Sequence, residues 1–256
     1  IQAEFSGMDE HMVMKAQNYN VAEAGIAERY YTTGGSASVT LKATKTFPHA
    51  DHWTNSTFYF RPLGQTTVKG KTDANPWLSW TFNESGSLQK TEIPGRAAMA
   101  KFTVNGPAIL FGAALEGNDG ITIDNFSMRG STGTTLANIP DNTLREFNAI
   151  RPYDLIILQF GVNAVKDNST TKDMRDYLAQ MRNVIRKFRR CYPQASILVV
   201  STPDRGSKEG GATMPNIKAL EGYQKELAAE ERVGFYSLFH AMGGEGSMAK
   251  LHDKGM

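Results

Sequence analysis

The feature that most restricts the fold of this chain is a change of texture near residue 120. From about Ser36 to Leu115 there is little helical periodicity and much Thr, Gly, Pro and aromatic content. Short β-prone pieces follow one another: "SASVTLKAT", "STFYFRP", "QTTVKGK", "PWLSWTF", "SLQKTEI", "AKFTVNG" and "AILFGAAL". Turn signals such as "NESG" and "VNGP" separate them, a pattern expected of an antiparallel sandwich. From Ile121 onward strands and helices alternate instead. "ITIDNFS", "DLIILQF", "ASILVVS" and "VGFYSLF" read as strands, and "TLANIPDNTLREFNAI", "TTKDMRDYLAQMRNVIRKFRRC" and "NIKALEGYQKELAAEE" as helices. Such repetition builds a right-handed parallel sheet with helices on both faces. The opening "EHMVMKAQNYNVAEAGIAERY" has helical spacing and is assigned to the same α/β layer. The expected organisation is therefore an α/β domain begun by residues 1–31, interrupted by a β-module at 32–118, and resumed over 119–256.

Composition narrows the function classes. A formal charge of +2 is too small to argue for nucleic acid or an anionic membrane surface. Arg182, Arg186, Lys187, Arg189 and Arg190 cluster at helical spacing beside Met181, Val184, Ile185 and Phe188, as on the solvated face of an amphipathic helix. The single cysteine, Cys191, excludes an internal disulfide and a thiolate metal cluster. No apolar stretch approaches the length of a membrane span. The chain opens on Ile1 and stops at "LHDKGM", and is expected to be a fragment of a longer protein.

Three expected strand ends send polar loops toward one edge of the sheet: "MRGSTG", "GVNA" and "TPDRGSKEGG". Ligands collect outside the carboxyl ends of strands in open parallel sheets. Gly130 lets a backbone N–H approach a ligand closely, and Asn163 can offer its NH₂ group to the same atom. Two such donors aimed at a developing negative oxygen make an oxyanion hole. Taken singly, each residue has a plainer reading: Gly130 ends a strand, and Asn163 closes its own turn.

The ordered set "DNFSMRGSTG", "PYDLIILQFGVNA" and "ILVVSTPDR" resembles the SGNH (GDSL-type) ester hydrolases. The phrase "ILFGAALEGNDGITIDNFSMRGSTG" is similar to the junction after a β-sandwich insert in members of the peptidoglycan O-acetylesterase kind. The resemblance implies a flavodoxin-like, three-layer α/β/α SGNH fold with a parallel sheet, interrupted by a jelly-roll-like β-sandwich. It implies Gly130 and Asn163 as oxyanion donors. By their position in "TPDRGSKEGG" at the same edge, Asp204 and Arg205 are candidate substrate contacts or, equally, a salt bridge within their loop. It also implies serine acylation of an acylated glycan or small ester, with no cofactor or metal, in the periplasm or outside a bacterial cell.

The chain departs from the family pattern where the covalent chemistry resides. It contains no Gly-Asp-Ser, no Gly-x-Ser-x-Gly elbow, and no Asp-x-x-His. The family places the first motif just before a stretch like "IQAEF" and the last just after one like "HDKGM". As it stands, the chain is expected to be inactive as an esterase, since a serine hydroxyl needs a base in reach. Ser6 or Ser131 with His252 could be offered as a displaced pair. The plainer readings are a turn cap for Ser131 and an exposed loop histidine for His252. Trp53, Trp77 and Trp80 suit either sugar stacking or a sandwich core. His49, Asp51 and His52 lack further ligands and are read as a loop. The rival function is a non-catalytic carbohydrate-binding protein. A nucleotide binder is disfavoured because no Gly-rich phosphate loop opens a helix.

Overall fold

A computed structural model of the chain describes residues 1–13, 19–44, 46, 50–206 and 212–255. The chain divides into two compact units, Ile1–Phe126 and Ser127–Met256.

The first unit is all β: β1 (Gln2–Ser6), β2 (Asp9–Met12), β3 (Arg29–Thr33), β4 (Ser36–Lys42), β5 (Trp53–Pro62), β6 (Thr66–Thr72), β7 (Leu78–Phe82), β8 (Gln89–Ala97), β9 (Met99–Asn105) and β10 (Ala108–Glu116). They form two five-stranded sheets, ordered β1-β4-β9-β6-β7 and β2-β3-β10-β5-β8, with every pairing antiparallel. Period-two alternation sets which side chains go inward. Val39 and Leu41 on β4, Phe102 and Val104 on β9, and Phe58, Phe60 and Ile93 on the other sheet form one core. Trp53 is buried with its indole N–H donating to Ser56 Oγ at 2.7 Å, and Trp80 packs at the margin of the core. Trp77, by contrast, is exposed.

The N-terminal segment corrects the helical expectation. Gln2–Ser6 and Asp9–Met12 are strands, β1 pairing with β4 and β2 with β3, and the helical residues described before β3 are Val13 and a 3-10 turn at Val21–Glu23. Gly7 lets the chain step from one sheet to the other. Its φ is 70°, and a Cβ there would stand 2.1 Å from the Ser36 carbonyl oxygen. Residues 1–31 thus belong to the β unit, and the β/α division falls at Phe126 rather than near 118.

The second unit follows the expected strand–helix alternation. A 3-10 turn, Thr134–Asn138, leads to Pro140 and α1 (Asp141–Ile150), then β11 (Leu155–Gln159), α2 (Thr171–Cys191), β12 (Ser196–Val200), α3 (Pro215–Glu230), β13 (Gly234–Tyr236), α4 (Leu238–Ala241) and α5 (Ser247–Asp253). Helix α2 starts on a capping box: Thr170 Oγ1 accepts from the Asp173 N–H, and Asp173 Oδ2 accepts from the Thr170 N–H. Strands β11, β12 and β13 run parallel in that order.

Two further expectations for residues from 119 onward are not met. Residues 121–127 form no strand; Ile121 and Ile123 are 92% and 83% exposed. A strand exists through its ladder, and among the described residues no strand pairs with this segment or with the outer edge of β11. The three-layer expectation also gives way. Leu158 and Val199 line a small apolar cavity with α2 and α3, but Leu155 and Ile157 on the opposite face are 49% and 53% exposed. Helices therefore pack on one face of β11, and its other face is exposed at Leu155 and Ile157; a full three-layer arrangement is not shown among the described residues.

Candidate active site

The C-terminal ends of β11 and β12 and the turn around Gly130 converge within the second unit. After Gln159 the chain enters the turn that presents Asn163. Gly161 makes that turn feasible, with φ at 128° and a would-be Cβ only 2.6 Å from Thr202 Cγ2. Asn163 Nδ2 donates to the Ser131 carbonyl oxygen at 3.0 Å. The two turns singled out in the sequence are thereby tied directly to each other. An amide NH₂ has two hydrogens, so one donor remains after this bond. Ser131 caps its own turn, its buried Oγ accepting from the Gly133 N–H at 3.0 Å.

Two side chains brace this edge. Arg205 Nη1 donates to the Val162 and Val165 carbonyls at 2.7 and 3.2 Å, gripping the turn on both sides of Asn163. Buried Gln224 on α3 donates through Nε2 to the Phe160 carbonyl at 2.8 Å and accepts through Oε1 from the Thr202 N–H at 3.0 Å. It thus locks the ends of β11 and β12 to one helix. Nothing in the sequence marked Gln224, which lies mid-helix; only its burial at a polar strand end distinguishes it. The Arg205 guanidinium thus supports the Asn163 turn.

Asp204 also turns inward. Its buried carboxylate accepts from Thr213 Oγ1 at 2.7 Å, Ser247 Oγ at 3.3 Å and the Met248 N–H at 2.9 Å. It fastens the loop after β12 to the first turn of α5. The loop residues 207–211 and His49 lie outside the described residues.

Among the described residues no His–carboxylate pair is assembled beside this edge. The His252 side chain is 90% exposed on α5, with Nδ1 3.8 Å from Asp253 Oδ1. Ser6 lies on β1 opposite Ser38. Ser237, His240 and Glu221 do come together, but Ser237 Oγ at 2.8 Å and Glu221 Oε1 at 3.4 Å both approach the same ring nitrogen, Nδ1. A relay needs one partner on each nitrogen, and Ser237 here serves as the N-cap of α4. His52 Nδ1 is 2.8 Å from Asp51, and no group of three metal-ligating side chains exists among the described residues.

A family model for the GDSL-like lipase/acylhydrolases matches residues 98–254. The chain belongs to the GDSL-like lipase/acylhydrolase family. A solved structure of a peptidoglycan O-acetylesterase superposes with a TM-score of 0.64 at 18% identity, covering 99% of this chain and 69% of that one. At that identity the likeness establishes the fold. A family two carbohydrate esterase from Cellvibrio japonicus matches at 12% identity and a TM-score of 0.30, covering 92% of this chain and 89% of its own. No curated protein matches the sequence. In this GDSL-like chain the turns carrying Gly130 and Asn163 are joined by the Asn163–Ser131 hydrogen bond, while the sequence holds neither Gly-Asp-Ser nor Asp-x-x-His. No helix among the described residues is long and apolar enough to cross a membrane.

Proposed function

We propose that this chain supplies the oxyanion side of a serine esterase that removes O-acetyl groups from a glycan of the bacterial cell envelope, in the periplasm or outside the cell. In this reading the Gly130 N–H and the second hydrogen of Asn163 Nδ2 donate to the acetyl carbonyl oxygen. As a serine Oγ attacks, charge passes to that oxygen, and fixed donors stabilise it at no reorganisation cost. Nucleophile and base come from Gly-Asp-Ser and Asp-x-x-His segments that this sequence does not contain. The observation that carries the reading is the Asn163–Ser131 bond, which puts the amide of one family turn against the backbone of the other. Arg205 and Gln224 support it, because both hold the strand ends rigid around an otherwise exposed turn.

The test joins this chain to segments carrying both motifs and measures hydrolysis of an acetylated glycan. Asn163→Ala should lower kcat by roughly a hundredfold while KM moves little, since the interaction forms in the transition state. An unchanged kcat would sink the oxyanion assignment. The chain alone should not turn over p-nitrophenyl acetate. Turnover abolished by Ser131→Ala or His252→Ala would instead revive a displaced pair. The rival reading, a carbohydrate binder without catalysis, gains from the exposure of Trp77, and predicts no rate in the joined protein.

A further inference from the structure

The outer face of the β1-β4-β9-β6-β7 sheet carries an arrangement that sheet energetics disfavour. Lys71 on β6 and Lys101 on β9 are register partners, directly opposite one another. Such partners have Cβ atoms about 5 Å apart, and like charges placed so repel. Lys69 lies two residues along β6 on the same face, opposite Thr103. Among the described residues none of these three ammonium groups has an ion-pair partner. The acids nearest in register are committed elsewhere. Glu4 pairs with Lys42 at 3.2 Å, and Asp73 accepts from the Ala98 and Met99 N–H groups at 3.0 and 3.1 Å. Beside this cluster stands Trp77, 46% exposed, with Lys71 Nζ 5.1 Å from its ring centre.

We propose that this face binds an acidic glycan, with a sugar ring against the Trp77 indole and its carboxylates at Lys69, Lys71 and Lys101. The inference rests on the glycan reading above for its ligand class, and it adds the charge of the glycan and the place where it docks. An indole offers an apolar plane for the C–H face of a pyranose, and the unpaired ammonium groups are relieved of mutual repulsion by a carboxylate. The sheet face, with Thr103 opposite Lys69 and with Ser38 and Ser79 on the flanking strands, suits an extended polymer better than a small molecule in a pocket. Nucleic acid is the less favoured polyanion, because a single exposed aromatic cannot stack successive bases.

The experiment is affinity electrophoresis of the whole chain through gels containing polygalacturonate, with hydroxyethylcellulose and single-stranded DNA as comparison polymers. Polygalacturonate should retard the chain at low salt, the neutral polymer should not, and DNA should do so at least about tenfold more weakly. Trp77→Ala and the double variant Lys71→Ala/Lys101→Ala should each weaken retention about tenfold or more, with melting temperatures unchanged or raised. The control Lys225→Ala/Lys250→Ala, which removes the same charge from the other unit, should leave retention intact. Equal retention on the neutral polymer or on DNA, insensitivity to Trp77→Ala, or loss in the control would overturn the proposal. The polymer carries no acetyl ester, so failure here leaves the esterase reading standing, and failure of that reading leaves this measurement unaffected.

Discussion

In the β-sandwich Phe58 and Phe102 reach across from opposite sheets and stack with centroids 5.1 Å apart, while in the α/β unit Leu155 and Ile157 of β11 face open space. Both regions use strongly β-prone sequence, so strand propensity does not explain the difference. The sandwich closes on itself, because each sheet's apolar face is the other's cover. A parallel sheet has to be covered by other elements on both sides, and in this chain α2 and α3 cover only one. The comparison teaches that a run such as "LIIL" encodes burial on two faces without supplying what does the burying.

The largest expected effect lies in the sandwich core. Phe102→Ala removes a fully buried ring and should cost about 3–5 kcal/mol, read as a large drop in the melting temperature of the β unit.

Next comes the turn that positions Asn163. Gly161→Ala forces a Cβ against Thr202 in a backbone region that disfavours it, and should cost about 2 kcal/mol or more in chemical denaturation. A neutral result would mean the turn adapts, and would weaken the view of this edge as rigid.

A smaller effect is expected at Glu231, after the end of α3. Its carboxylate, 5% exposed, meets Arg186 at 2.8 Å, Arg182 at 3.2 Å and Arg189 at 3.6 Å. The Arg186 hydrogen bonds hold its pKa below the usual carboxylate range, against the opposing effect of burial, with the charges of Arg186, Arg189 and Arg182 adding to the same side. A lowered folded-state pKa contributes stability above the unfolded value, and loses it as the pH falls through the depressed one. Glu231→Gln should therefore destabilise by about 1–2 kcal/mol at neutral pH, discounted for the solvent around the arginines. The gap to the parent should close below about pH 4. A gap independent of pH would assign the loss to packing.

The smallest stability effect is expected at the open face. Ile157→Thr should change stability by no more than about 0.5 kcal/mol, while reducing binding of a hydrophobic dye such as ANS. A loss comparable to that of Phe102→Ala would mean that this face is covered in solution, and would erase the contrast between the units.

The site was legible to an unequal degree. The turns carrying Gly130 and Asn163 could be placed on one edge because each follows an expected strand end, and the Asn163–Ser131 bond brings them together. Asp204 and Arg205 lie on the loop after β12, and their side chains turn to Met248 and to Val162, partners 44 and 43 residues away in the chain that no local pattern reveals. Gln224 went unnoticed for the same reason, since its two partners lie at the ends of strands distant in sequence.

What the sequence determined by itself was local. Alternation placed β4 to β10 nearly residue for residue, and the 3.6-residue periodicity with the Thr170–Asp173 capping box placed α2. Both are properties of neighbouring residues: which way side chains point, and which backbone groups lack partners at a helix end. Tertiary structure decided the rest. Gln2–Ser6 and Asp9–Met12 are strands because β4 and β3 offer them ladders, and Glu10–Met12 are so despite the helical spacing that starts there. Residues 121–127 have strand-like sequence and no ladder, and they stay irregular. A strand's hydrogen bonds lie outside the strand, so its existence depends on whether a partner edge is within reach.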